Sequence, residues 1–556
     1  MRFLRSQQGP CWPLVVLILW LALLLRLDYL HYTRQNLDRA VPHGLGILIR
    51  DAIAEGRLSD LPMLGLQASI NLPNPIGASI FYALLSALDA DPYSATALNA
   101  LNNVLVVVVA MSIAQRIGGR IAALGAGLLA ATSPWMIWVA RGAWLQGTSE
   151  GMSALACWLT LNGLVQQRRN HLLAAYLLIA AAMQTYLPAF GLAAQLLLAL
   201  LTQWRALGTE IRRTVLLGLG VCVLSGMAYF AALRVEGVSL EQTLTNPYAY
   251  NEVTASSQVN LDPISHLLRI ASGRDFENTF VEPDTWLFSL RDQLSDARAG
   301  VIEMLMIFGI AALATRGTST DRHLLMWSAL PTLSALVISN VIMPSWKVHV
   351  FYLALTSPAP YVFAGAGLSA LKLPQLRAGR ATLRMAAATA IVACALVSAW
   401  NLQGERETLQ RFPLHHDGLH ALPLKWQRAL ANEARRACMV LSNDEPEAWL
   451  ISLLGTSQRA RPATYKQTEQ GAAWLVGAQG GACVISTRVD HPPAHAELVW
   501  QTSLQGQNRT DRTPAQLALF RMRKPPVSNI EPLVVNLGWT QTALYVTDRV
   551  AAGQVL

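Results

Sequence analysis

The sequence predicts an α-helical polytopic membrane protein that carries a soluble α/β domain after its last apolar run. Three observations predict it. Of 556 residues, 53% are hydrophobic and only 14% are charged, whereas soluble proteins carry roughly 25% charged residues. A soluble fold of this length would lack the charge to cover its surface, and a disordered chain would need far more polar residues. The apolar residues are gathered in blocks between Cys11 and Trp400 and thin out beyond. The short loops between those blocks alternate between arginine-rich and arginine-poor, which is the asymmetry of cytoplasmic and external loops.

Each element follows in chain order. A helix crosses a bilayer with roughly 20 mostly apolar residues. The runs that qualify are 12–30, 96–114, 120–139, 151–166, 171–187, 188–203, 214–233, 299–315, 323–343, 349–371 and 382–400, about 11 spans in all. The run 75–88 is shorter and opens on Pro73-Asn74-Pro75. If it does not cross and the N-terminus is inside, the inside loops carry Arg116, Arg120 at the next span's edge, Arg168, Arg169, Arg205, Arg212, Arg213, Arg316, Arg322, Lys372, Arg377 and Arg380. If it crossed, every later loop would change sides and the charge rule would fail. The run is therefore read as a juxtamembrane or re-entrant helix. The chain divides into a membrane domain, 1–400, and a soluble domain outside the cytoplasm, 401–556. The membrane domain has a first outer loop at 31–95 and a second, polar one at 234–298. No cleavage site follows the first apolar block, which is read as a retained span. The expected location is the cytoplasmic (inner) membrane.

Within the first outer loop, Gly44–Arg57 places Leu45, Leu48, Ile49, Ala52 and Ile53 on one stripe, as an interfacial helix does. In the soluble domain, Cys438–Ser442, Ala482–Ser486, Leu517–Met522 and Ala543–Val546 read as strands. The net charge of +9 is explained by the inside loops, so nucleic acid is not an expected partner. The six cysteines form no metal-ligand spacing. Cys438 and Cys483 are a candidate disulfide if their domain is external. No repeat period appears, and no phosphate loop, zinc motif or hydrolase elbow.

Ionisable residues at the outer face are the candidate site, because burying them is costly. Asp28 and Asp38 open the first outer loop; each reads as a general base or as a solvated acid, and Asp28 alternatively as the partner of Arg26. Ser133-Pro134-Trp135 begins a stretch through Arg141 to Trp144. Trp faces stack on sugars and the Arg fork pairs with phosphate, although an interfacial aromatic belt has the same composition. Glu150 is a second acid on that side, or a helix N-terminal acid. Lys347 and His349, in a tight outside loop, and Arg274, in the second outer loop, read as phosphate contacts or as headgroup and loop charges. No metal site is assigned.

With these residues in view, the chain resembles the GT-C glycosyltransferases. The resemblance rests on an acid in a long first outer loop, an amphipathic helix ending at Gly56, and Leu64-Gly65 followed by Leu72-Pro73-Asn74-Pro75-Ile76 and Phe81-Tyr82-Ala83-Leu84-Leu85. Ser133-Pro134-Trp135 through Arg141, and Val350-Phe351-Tyr352-Leu353-Ala354-Leu355 with Pro358 and Gly365, add to it. It covers roughly residues 1–400 and points toward protein O-mannosyltransferases and aminoarabinose lipid A transferases. Where those carry an Asp-Glu pair this chain has Asp38-Arg39. The resemblance implies transfer of a sugar from a polyprenyl-phosphate donor to an acceptor outside the membrane, with Asp38 as the base and Arg141, Lys347 or His349 stabilising the leaving phosphate. It admits a divalent metal without requiring one, and implies membrane lipids and an extracytoplasmic lipid, glycan or protein acceptor as partners. The alternatives are a lipid or polysaccharide transporter, expected to show repeats or mid-span charges, and a lipid-linked oligosaccharide ligase. His415, His416 and His420 cluster without acids or cysteines at ligand spacing.

Overall fold

A computed structural model describes residues 11–33, 37–67, 72–238, 260–283, 287–342, 349–370, 380–412 and 423–437, and the strands thereafter. In chain order the helices are α1 (Trp12–Leu27), α2 (Leu37–Ala54), α3 (Gly77–Ser86), α4 (Pro92–Thr132), α5 (Pro134–Ala140), α6 (Leu145–Gln166), α7 (Arg169–Thr185), α8 (Phe190–Gln203), α9 (Thr209–Val235), α10 (Asp262–Ser272), α11 (Phe276–Phe280), α12 (Phe288–Arg316), α13 (Ser319–Val337), α14 (Ala359–Ala370), α15 (Arg380–Arg411) and α16 (Leu424–Ala437). A small hairpin, β1 (Leu64–Gln67) and β2 (Pro73–Pro75), precedes α3. Two compact units result. One holds Met1–Leu30, Pro62–Ala78 and Thr96–Thr408; the other holds His31–Leu61, Ser79–Ala95 and Leu409–Leu556.

Among the described residues of the first unit, several helices carry an exposed apolar flank. On α1, Ile18, Ala22 and Arg26 are buried at a spacing of four, while Trp12, Val16, Leu17, Trp20 and Leu24 are exposed. The same two-sidedness recurs on α9 (Leu216, Leu217, Val223, Leu224) and α12 (Met304, Ile307, Phe308). Apolar flanks this extensive fit a surface that meets lipid or another apolar partner. Among the described residues, α4, α9 and α12 combine the length and hydropathy needed to cross a membrane. Helix α4 bends at Gly119, whose φ of 76° lies where L side chains are strained and glycine is not. That break joins the runs expected at 96–114 and 120–139. Close helix approach comes from small residues: a Cβ on Gly309 of α12 would overlap the Phe363 carbonyl of α14, and one on Gly367 would overlap the Leu305 carbonyl.

Several boundaries differ from the sequence reading. The run expected to reach 139 is cut by Pro134, which opens α5. The run 349–371 is a 3₁₀ turn, Val350–Thr356, and then α14. The second outer loop is partly helical: α10 and α11 lie within it, and α12 starts at Phe288, well before the apolar stretch. Helix α15 continues through residue 400 to Arg411. Apolarity marks the lipid-crossing part of a helix, and backbone hydrogen bonding carries the helix on into polar sequence. Run 75–88 is the ten-residue α3, about 15 Å long and half a bilayer core.

The Pro73-Asn74-Pro75 segment is the strand β2. Its prolines sit on the edge of a two-stranded pair, where a missing N–H is tolerated. Asn74 donates to the Leu66 carbonyl at 2.9 Å and accepts from the Leu187 N–H at 3.1 Å, and the Tyr229 hydroxyl donates to the Pro73 carbonyl at 2.7 Å.

In the second unit, α2 begins seven residues before the expected Gly44 and ends before Gly56, which has φ 72°. Pro42 removes one helical bond, but burial of Ala40, Val41, Ile47, Ile49 and Ala52 holds the helix together. Gly46 lets α2 approach the α3 backbone: a Cβ there would lie 2.8 Å from the Ser79 carbonyl oxygen. Arg50 bridges the two, donating to the Ser86 carbonyl at 2.8 Å and to Asp51 at 2.7 Å. Beyond α16 come β3 (Met439–Ser442), β4 (Ala460–Pro462), β5 (Tyr465–Thr468), β6 (Gly471–Trp474), β7 (Ala482–Ser486), β8 (Ala496–Gln507), β9 (Pro514–Met522), β10 (Leu533–Asn536) and β11 (Gln541–Leu544). The main sheet has the order β4-β3-β7-β9-β8, with β3 parallel to β4 and β7, and β9 antiparallel to β7 and β8. Helix α16 packs on β3 and β8. The side chain of Cys483, and all of Cys438, His415, His416 and His420, lie outside the described residues.

Candidate functional site

The site is built where α1, α4 and α5 end. Helix ends leave carbonyl groups without intrahelical donors, and here two arginines satisfy them reciprocally. Proline at 134 has no N–H to offer the Ala130 carbonyl, which its i+4 position would otherwise serve. Arg26 of α1 supplies the donors instead, with Nη2 to the Ala130 carbonyl at 3.0 Å and Nη1 to the Ala131 carbonyl at 2.9 Å. In return Arg141, the residue that ends α5, donates through Nη2 to the Leu25 carbonyl in the last turn of α1, at 2.7 Å. A cation at a helix C-terminus also meets the negative end of the helix dipole.

Both arginines are buried and both are matched. Arg26 Nε donates to Asn103 Oδ1 at 2.5 Å, and Asn103 Nδ2 donates to Glu150 at 2.5 Å. The other Glu150 oxygen accepts from the Ser357 hydroxyl at 3.1 Å. This chain ties α1, α4, α6 and the segment before α14 together. Glu150 was read as a donor-binding acid or a helix acid; it is fully buried in the Arg26 network. Arg141 pairs with Glu405 at 3.2 Å.

Asp28 ends α1 and is half exposed. It pairs with Arg406 at 3.5 Å, and the Arg406 guanidinium lies over the Tyr29 ring at 3.3 Å. The reading of Asp28 as the partner of Arg26 is thus corrected: Arg26 turns inward to Asn103 and Asp28 turns to α15. Two residues apart on one helix end, the pair cannot share a face. Asp28 and Arg141 are brought together with Glu405 and Arg406, which the sequence reading missed. Their signal was present in the charged Glu405-Arg406-Glu407 run straight after the last apolar block.

The tryptophans pack on one another and on two phenylalanines. Trp144 is buried edge-to-face on Trp138 at 4.5 Å, Trp138 lies 4.6 Å from Phe280, and Trp135 packs on Phe276 and Phe280. The Trp135 Nε1–H donates to the Arg274 carbonyl at 3.1 Å, and Ser133 donates to the Ile270 carbonyl at 2.8 Å, fixing α5 against α10. The Arg274 side chain is engaged by Glu303 at 2.9 Å and Asp296 at 3.5 Å, and the Glu303 bond raises its already high pKa. Arg298 spans the Ser272 carbonyl and the Ser398 hydroxyl. His349 is half-buried and meets the Tyr352 ring edge-on at 5.6 Å. Asp38 sits in the first turn of α2 in the second unit; its side chain, and all of Lys347, lie outside the described residues. Among the described residues no three His, Cys, Asp or Glu side chains converge as a metal would need.

No protein-family model matches the chain, and no curated protein matches it in sequence. Solved structures do match in fold. The crystal structure of ArnT from Cupriavidus metallidurans in the apo state aligns over 91% of this chain and 97% of its own, at a TM-score of 0.53 and 14% identity. The same protein bound to undecaprenyl phosphate aligns over 91% and 98%, at 0.51 and 14%. The Archaeoglobus fulgidus oligosaccharyltransferase aligns over 80% of this chain and 63% of its own, at 0.45 and 12%. The chain has the fold of a GT-C glycosyltransferase, the class that its sequence resembles.

Proposed function

We propose that the protein is a membrane glycosyltransferase that moves a sugar from a polyprenyl-phosphate donor to an acceptor outside the cytoplasmic membrane. The observation that carries this reading is the likeness to ArnT across 91% of the chain, which extends to the form bound to undecaprenyl phosphate. The apolar flanks of α1, α9 and α12 support burial in a bilayer, and the arginine-rich loops support a topology of about 11 spans with 401–556 outside. In the reaction, an acceptor oxygen or nitrogen attacks the anomeric carbon as the bond from that carbon to the phosphate oxygen breaks. Asp38 takes the acceptor proton and polyprenyl phosphate leaves with the bonding electrons. Lys347 and His349 receive its developing charge. Arg141 contributes from behind, as a buried cation that holds the end of α1.

The test is incubation of purified protein with a panel of polyprenyl-phosphate sugars, with and without divalent metal, and mass spectrometry of the released lipid phosphate. Release by the wild type, lost in Asp38→Asn at unchanged thermal stability, is the expected result. Wild-type turnover in Asp38→Asn would remove it as the base. Release from no donor would leave the transporter reading standing, and release only from pyrophosphate-linked oligosaccharides the ligase reading.

A further inference from the structure

At the opposite end of α1 from the proposed active site lies a groove between α1 and α4. Its walls are Val15 and Leu19 of α1 with Val108, Met111, Ala123 and Leu124 of α4, and its volume is about 200 Å³. From Trp12 to Leu19 it runs along eight residues of α1, about 12 Å. On the topology proposed above, that depth begins at the inside membrane surface, where α1 starts, and ends within the hydrocarbon. Its polar lining is confined to Ser112, Gln115 and Arg120, around the break at Gly119. Ser112 spends its hydroxyl hydrogen on the Val108 carbonyl at 2.8 Å, leaving its oxygen as an acceptor. Two other arginines near the break are engaged away from the groove: Arg116 donates to Asn162 of α6 and lies over the Trp158 ring, and Arg316 pairs with Asp321 at 2.9 Å, so Arg120 is the cation of the groove's own lining. No acid is among the lining residues.

We propose that this groove is a binding site for an anionic phospholipid of the leaflet that the arginine-rich loops face. An apolar trough about one acyl segment deep, opening beside the Arg120 guanidinium and the Gln115 amide, matches an amphiphile with a negative headgroup. Basic pockets between spans on that side of a membrane bind such headgroups. The occupant is set apart from the carrier lipid of the proposed reaction by position. The carrier's phosphate belongs at the outer face, whereas this rim surrounds an inside loop. The assignment of the leaflet rests on the topology proposed above, while the groove and its rim do not.

Native mass spectrometry of the full chain in detergent, offered phosphatidylglycerol and phosphatidylcholine of identical acyl chains, tests it. Phosphatidylglycerol should be retained about fivefold over phosphatidylcholine, the scale of one cation near a headgroup. Arg120→Gln should abolish the preference and Arg120→Lys preserve it, while Ala123→Phe, which fills the trough, should lower retention of both lipids. Equal retention by the wild type, or a preference that survives Arg120→Gln, would overturn the site. Displacement of phosphatidylglycerol by equimolar undecaprenyl phosphate, lost in Arg120→Gln, would overturn the phospholipid assignment in favour of the carrier. Loss of sugar transfer with lipid retention intact would strike only the proposed reaction.

Discussion

Replacing Arg26 by methionine isolates what holds the outer ends of α1, α4 and α5 in place. Methionine keeps most of the side-chain volume and removes the charge, so packing changes little and the hydrogen bonds go. Four are lost: to the carbonyls of Ala22, Ala130 and Ala131, and to Asn103. The Ala130 carbonyl then faces Pro134 with no donor, and Glu150 is left buried with its charge unmatched. Breaking one side of a buried ionic network costs about 3–5 kcal/mol, more than a neutral hydrogen bond at about 1 kcal/mol. Arg26→Met should therefore destabilise the protein by that amount in detergent, measured from denaturant or thermal midpoints. Glu150→Gln alone should cost less, since the amide keeps partners in Asn103 and Ser357. In the double variant the uncompensated acid is gone, and about 1–3 kcal/mol of the summed loss should return as coupling. Simple additivity of the two substitutions, or an Arg26→Met protein as stable as wild type, would refute the argument that Arg26 and Glu150 act as one network through Asn103.

Three further outcomes are expected. His43 in α2 is buried, and burial together with the Arg50 charge, against a smaller opposing pull from Asp89, pushes its pKa down to about 4. Its folded pKa lies below the unfolded value of about 6.5, so the unfolded state binds more protons between those values. Stability is full above pH 6.5 and falls by about 3 kcal/mol as pH drops toward 4; a His43→Gln protein with an unchanged acid profile would contradict this. Gly367→Val should force α12 and α14 apart and destabilise by about 1–3 kcal/mol, read from the thermal midpoint, with an unshifted midpoint counting against close packing there. Lys347→Ala should weaken binding of polyprenyl phosphate about tenfold or more by loss of one cation at the phosphate, and unchanged affinity would take Lys347 out of the site.

The fold class was legible because it rests on quantities that need no partner: apolar runs, their lengths and the charges between them. Strand Ala482–Ser486 was placed to the residue, since a short apolar run between turn residues has few other uses. Boundaries failed where the chain leaves the apolar phase. Helices α12 and α15 continue into polar sequence, and hydropathy is blind there because the ladder of backbone bonds does not stop at the membrane surface. The break at Pro134 was readable, but not its consequence.

That consequence explains why the candidate site was only half visible. A free carbonyl at the end of α4 calls for a donor, and the donor that answers lies more than a hundred residues earlier, on α1. Nothing within either run specifies the other. What local sequence could have shown is which pairing was forbidden: residues 26 and 28 point in different directions, so Arg26 had to find its match elsewhere. A buried arginine within an apolar run requires acceptors and a counter-charge nearby. Such candidates are scarce in a chain with so few charged residues: Glu150 lies just before an apolar block and Glu405 just after one, opening the charged run Glu405-Arg406-Glu407. Scarcity of charge therefore carries information beyond membrane class. Each ionisable residue near a span end has few possible partners, and the reciprocal capping by Arg26 and Arg141 gives each arginine a carbonyl at the other's helix end.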